Sequence, residues 1–125
     1  MQYSLLLHAP EPGDAEVTPE QMAEFQTAFD LYAKSLDSAG VLVAIDILQG
    51  SSASTTVAVR DGSSTIQDGP FAATKEQLAG TFVIEVPDLD AAIAWAEKNP
   101  GARYGVVEIR PSAIAYRDGA WQTPA

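Results

Sequence analysis

The side chains best suited to proton transfer are few: His8, Asp68 and Glu108, with Glu85 as a further carboxylate. Histidine has an unperturbed pKa near neutrality, which suits a general acid or base. Two carboxylates held close can divide the acid and base roles, because the charge on one raises the pKa of the other. His8, Asp68 and Glu108 are therefore the catalytic candidates. Lys75 offers a point charge and Arg110 a planar fork, both suited to a small anion. With Glu85 and Tyr104 they are the ligand-binding candidates. A plainer reading stands beside each. His8 can be a strand-end residue bonded to a loop carbonyl. Glu85 and Glu108 can be neutralised by Arg110 or Lys75, or hydrogen-bonded across a dimer. Thr74-Lys75-Glu76 can be a solvated turn.

Composition narrows the chemistry. There is no cysteine and one histidine. Disulfides, thiolate zinc sites, cysteine nucleophiles and multi-histidine metal sites within one chain are excluded, and neither metal nor cofactor is expected. Seventeen acidic residues against seven basic ones give a net charge of −10, which repels nucleic-acid phosphates. No apolar run approaches the ~20 residues of a spanning helix, and the start lacks the basic and long apolar regions of a signal peptide. A cytoplasmic protein with no membrane or nucleic-acid partner is expected. The charge is uneven: residues 1–50 hold eight acids against Lys34 alone, while residues 51–125 hold nine acids against six bases.

These side chains need elements to position them. With 125 residues, 46% of them hydrophobic, one core and a single domain over 1–125 are expected. Residues 2–8 read as a strand, followed by an acidic loop around Pro10, Pro12 and Gly13. Thr18-Pro19-Glu20-Gln21 predicts a capped helix start, and Met22, Phe25, Phe29, Tyr32 and Leu36 make its apolar stripe, all expected in the core. Gly40 ends the helix. Residues 41–48 read as a largely buried strand. Asp61-Gly62 predicts a hairpin over residues 55–67, closed by Asp68-Gly69-Pro70-Phe71. Residues 74–78 suggest one helical turn, and 80–86 the next strand. Asp88 opens a second helix with Leu89, Ala92, Ile93 and Ala96 inward, stopped by Asn99-Pro100-Gly101. Residues 103–110 are the last main strand, and Arg117-Asp118-Gly119 marks a weak edge hairpin.

Without the inserted hairpin the order is β-α-β-β-α-β, which matches a ferredoxin-like α+β sandwich. Strands 2–8 and 80–86 are then central. Alternation puts Tyr3, Leu5, Leu7, Phe82, Ile84, Val86, Val107 and Ile109 under the helices. The opposite face carries Leu6, His8, Val83, Glu85, Tyr104, Val106, Glu108 and Arg110. An apolar row in a polar frame suggests a homodimer through this sheet face, enclosing a cleft. The simplest register sets Glu85 and Glu108 on either side of Ser4, with His8 near Tyr104 and Thr81.

The run from Asp68-Gly69-Pro70-Phe71 through Thr74-Lys75-Glu76 to Gly80 resembles the signature of the DGPF-type branch of the YCII-related family. Ala39-Gly40-Val41-Leu42, Thr55-Thr56-Val57, Arg60-Asp61-Gly62, Asp88-Leu89-Asp90, Ala102-Arg103-Tyr104-Gly105 and Val107-Glu108-Ile109-Arg110-Pro111 extend the similarity to nearly the whole chain. The resemblance implies a ferredoxin-like fold, usually dimeric, with a polar cleft. Wider relatives carry a histidine on the first helix paired with an aspartate near strand two. This chain has phenylalanines there instead, and Asp46 lacks such a partner. The Asp68–Phe71 loop reads either as a ligand-binding loop or as a turn in which Phe71 anchors in the core.

Two functions follow. One is a small-molecule protein with a polar cleft and metal-free acid–base chemistry. The other is a non-catalytic regulatory module. The resemblance implies a link to an extracytoplasmic-function sigma-factor system for the second, since DGPF-type proteins are often encoded beside such factors.

Overall fold

The computed structural model describes residues 1–11 and 17–123. The expected acidic loop falls largely outside them. Strands β1 (Gln2–Pro10), β2 (Leu42–Ile47), β5 (Glu76–Glu85) and β6 (Val106–Pro111) form an antiparallel sheet in the order β2-β5-β1-β6. Helices α1 (Pro19–Ser38) and α2 (Leu89–Glu97) cover one face, with β3 (Thr55–Arg60) and β4 (Ser63–Asp68) inserted as a separate hairpin. This is the expected ferredoxin-like α+β arrangement, with β1 and β5 central.

Local chemistry explains the elements. Thr18 accepts from the Gln21 N–H, and the Gln21 side chain accepts from the Thr18 N–H, forming a capping box ahead of Pro19. Asp88 caps α2 by accepting from the Ala91 N–H. Asp61 and Gly62 both take positive φ, 53° and 78°, as the two-residue hairpin turn requires. Asp118 and Gly119 repeat this between β7 (Ala115–Arg117) and β8 (Ala120–Gln122). The core joins Tyr3, Leu5, Leu7, Phe82, Ile84 and Val86 to Tyr32, Leu36, Ala92 and Ala96.

Several expectations are corrected. Met22 and Phe25 are exposed, and the burial of α1 centres on Tyr32 and Leu36. Leu89 is also exposed; the inward face of α2 rests on the small Ala92 and Ala96. Strand β2 is an edge strand, half open, with a bulge between Leu42 and Ala44. Residues 76–78 are strand, because β1 runs on to Pro10 and supplies backbone partners. The last main strand starts only at Val106. Pro100–Arg103 form a 3-10 turn, held by the Asn99 side chain accepting from the Gly101 N–H.

Candidate functional site

The sheet face away from the helices carries the polar groups. Its rows follow from the register: Val83, Ser4 and Arg110; then Asp46, Thr81, Leu6 and Glu108; then Leu78, His8 and Val106. The expected register was therefore wrong. Glu85 lies opposite Gln2, and Glu108 lies opposite Leu6, so the two carboxylates do not flank Ser4. His8 is opposite Leu78 and Val106 rather than beside Thr81.

This register brings His8 and Glu108 together diagonally across β1 and β6. His8 Nε2 is 3.0 Å from Glu108 Oε1. Arg110 Nε lies 3.6 Å from Glu108 Oε2. A carboxylate only accepts, so Nε2 carries the proton it shares with Glu108. In the neutral ring Nδ1 is then the lone-pair nitrogen, and it has no hydrogen-bond partner among the described residues. The three side chains thus form a chain of guanidinium, carboxylate and imidazole. Both ends of the chain are partly open to solvent.

His8 also lines a groove of ≈ 680 Å³ at the end of this face. The loops at residues 48–54 and 70–74 wall it. A bulge between Leu7 and His8 in the β1–β5 ladder gives His8 Leu78 as partner and Pro10 Glu76. Directly opposed residues share a face, so the bulge turns Leu78 and Glu76 onto the groove side with His8. Glu11 accepts from both the hydroxyl and the backbone N–H of Ser51, fastening the wall; these bonds hold its carboxyl below the usual glutamate range. Gln77 fastens the other wall by donating to the carbonyls of Ala72 and Thr74.

The remaining candidates disperse. Asp68 sits at the exposed end of β4 opposite Thr55 and does not line the groove. Lys75 is exposed and also outside the lining, although Thr74 and Glu76 belong to it. Tyr104 turns to the helix side, where its ring meets Phe25 edge-on at 5.7 Å; burial pushes its hydroxyl pKa up. Glu85 belongs to the far end of the sheet, 3.9 Å from Arg117. Phe71 does not anchor in the core: it is 97% exposed, because Gly69 at φ 100° and Pro70 carry the chain outward. Leu78 and Glu76 were missed as groove residues. Periodicity cannot place a bulge, and both lay where a helical turn was expected.

The YCII-related domain family matches residues 1–112. An uncharacterized protein of Rhizobium meliloti (strain 1021) is similar, 30% identical over 121 residues that span 95% of this chain and 97% of that protein. The chain belongs to the YCII-related family.

Proposed function

We propose that this protein binds a small molecule in the groove beside His8 and moves a proton on it through the His8–Glu108 pair. The observation that carries the reading is the 3.0 Å contact between His8 Nε2 and Glu108 Oε1 at a histidine that lines the groove. Glu108 orients the ring and stabilises the imidazolium once Nδ1 has taken a proton; Arg110 steadies the carboxylate. The Asp68–Phe71 signature supports membership of the DGPF-type branch and forms part of the groove wall through Pro70 and Phe71.

A homodimer through the open sheet face belongs to the same reading. Leu6 and Val83 are only half-buried, and Val106 is 54% exposed. A second copy would cover this row and close the groove from above. The absence of cysteine suits the cytoplasm. No helix among the described residues is long and apolar enough to cross a membrane.

The test is a fragment screen read by ¹H–¹⁵N spectra, followed by turnover assays on hits. The expected result is shifts clustered at His8 and residues 48–56 and 70–78, with turnover abolished in His8→Ala. Hits that never touch this cluster would sink the proposal.

A second reading, a non-catalytic module of a sigma-factor system, draws on the inserted hairpin. Val57, Val59 and Ile66 lie on one face of it and are 58–67% exposed, a surface suited to a protein partner. Capture of a sigma factor by the wild-type chain, lost on Val57→Ser and Ile66→Ser, would favour it.

A further inference from the structure

We infer that the groove beside His8 takes an organic cation, a protonated or quaternary amine on an apolar body, and not an anion. The inference rests on the small-molecule reading above and names its ligand class. It reverses the expectation of an anion site built from Lys75 and Arg110.

Charge decides first. Among the described residues no lysine or arginine lines the groove. Lys75 is outside the lining, and Arg110 stands two residues beyond Glu108 on β6, at 3.6 Å from that carboxylate. Glu76 is on the groove side of β5. Glu11 holds Ser51 at the rim, and Glu108 backs His8. An anion entering here would meet the Glu76 carboxylate, with those of Glu11 and Glu108 outside the lining, and no fixed positive charge among the described lining residues. A cation would meet the reverse, in a chain of net charge −10.

The apolar groups fit the same class. Leu48 and Leu78 supply aliphatic walls. Phe71 lines the groove while 97% exposed, so its ring faces are free. A cation within about 6 Å of an aromatic face is attracted by the ring quadrupole. An alkylated ammonium is more weakly hydrated than a bare one, and its methyl groups can meet Leu48 and Leu78 as well as Phe71.

The full-length chain is titrated with benzyltrimethylammonium, benzyl alcohol and phenylacetate at matched ionic strength, reading the amide shifts of His8 and of residues 48–56 and 70–78. The ammonium is expected to shift these amides saturably, about tenfold more tightly than the alcohol. Phenylacetate is expected to leave them unmoved. Phe71→Ala and Glu76→Gln should each weaken the ammonium about three- to tenfold without altering the rest of the spectrum. If the alcohol or the carboxylate binds there as tightly as the ammonium, the cation inference is overturned and the groove stands as a ligand site. If the ammonium binds with both variants unchanged, its seat is elsewhere and the inference also falls. If no probe moves these amides, the groove reading falls with it.

Discussion

Gly105 stands against His8 so closely that a Cβ on the glycine would overlap the histidine's carbonyl oxygen. The neighbouring atoms of Ala9 leave no way round, since both its Cβ and its Cα would lie within 3.2 Å. The approach fixes β1 at the residue where the β1–β5 ladder bulges. Gly105→Ala should therefore move backbone rather than a flexible side chain. We expect a loss of about 1–3 kcal/mol in denaturant unfolding. Amide shifts should be concentrated at residues 7–9 and 105–107, loosening the 3.0 Å His8–Glu108 contact.

Phe71 yields the opposite expectation. At 97% exposure it has no core contact to lose. Phe71→Ser should change stability by less than about 0.5 kcal/mol. A larger loss in urea melts would mean that the ring is anchored after all.

The fold was legible because its signals are local. Thr18 with Gln21, Asp61-Gly62, and the alternation of Tyr3, Leu5 and Leu7 each specify geometry within a few residues. The ferredoxin-like order then followed from counting elements. The site was only half legible. His8 and Glu108 could be named by chemistry, and they do meet. Their neighbours depended on register, and one bulge at Leu7/His8 changed which β5 side chains join the histidine. Phe71 was misjudged as a core anchor for a related reason. Nothing in the composition of a turn says which way it leaves the body, and exposure is set by that exit.

Glu11 offers a pH test of the groove wall. Its hydrogen bonds from the Ser51 hydroxyl and N–H lower its pKa below 4.5. A depressed carboxyl contributes stability that is present above the unfolded value and is lost as pH falls through the folded one. In Ser51→Ala the hydroxyl bond is gone, so the Glu11 pKa should rise toward 4.5. Side-chain carboxyl shifts followed by NMR from pH 6 to 2 give the comparison. An unchanged Glu11 midpoint would show that the wall is not held this way.

Tyr32 governs the alkaline limit. Its hydroxyl donates to the Trp95 carbonyl at 2.9 Å, and burial pushes its pKa up to about 12. The folded value exceeds the unfolded value of 10.0, so the neutral phenol favours the fold. That contribution is complete below pH 10 and fades as pH rises through 12. Stability should decline across this window in the wild type. In Tyr32→Phe the decline should be smaller, from a lower starting stability because the bond to Trp95 is lost. Unfolding midpoints measured between pH 9 and 12 make the comparison.

The His8–Glu108 pair should matter little to folding. Its side chains are 33% and 46% exposed, so solvent screens the attraction and the geometry adds little net stability. His8→Ala, Glu108→Ala and the double variant, compared by denaturant unfolding at pH 7, should give a coupling of about 0.2–1 kcal/mol. Arg110→Ala should cost no more, since Arg110 is 69% exposed and stands 3.6 Å from its partner. A coupling above about 2 kcal/mol would identify the pair as structural cement between β1 and β6. If the single-variant losses are small as well, the variants stay folded, and any loss of ligand binding or turnover in them is assigned to the chemistry of the imidazole and its carboxylate.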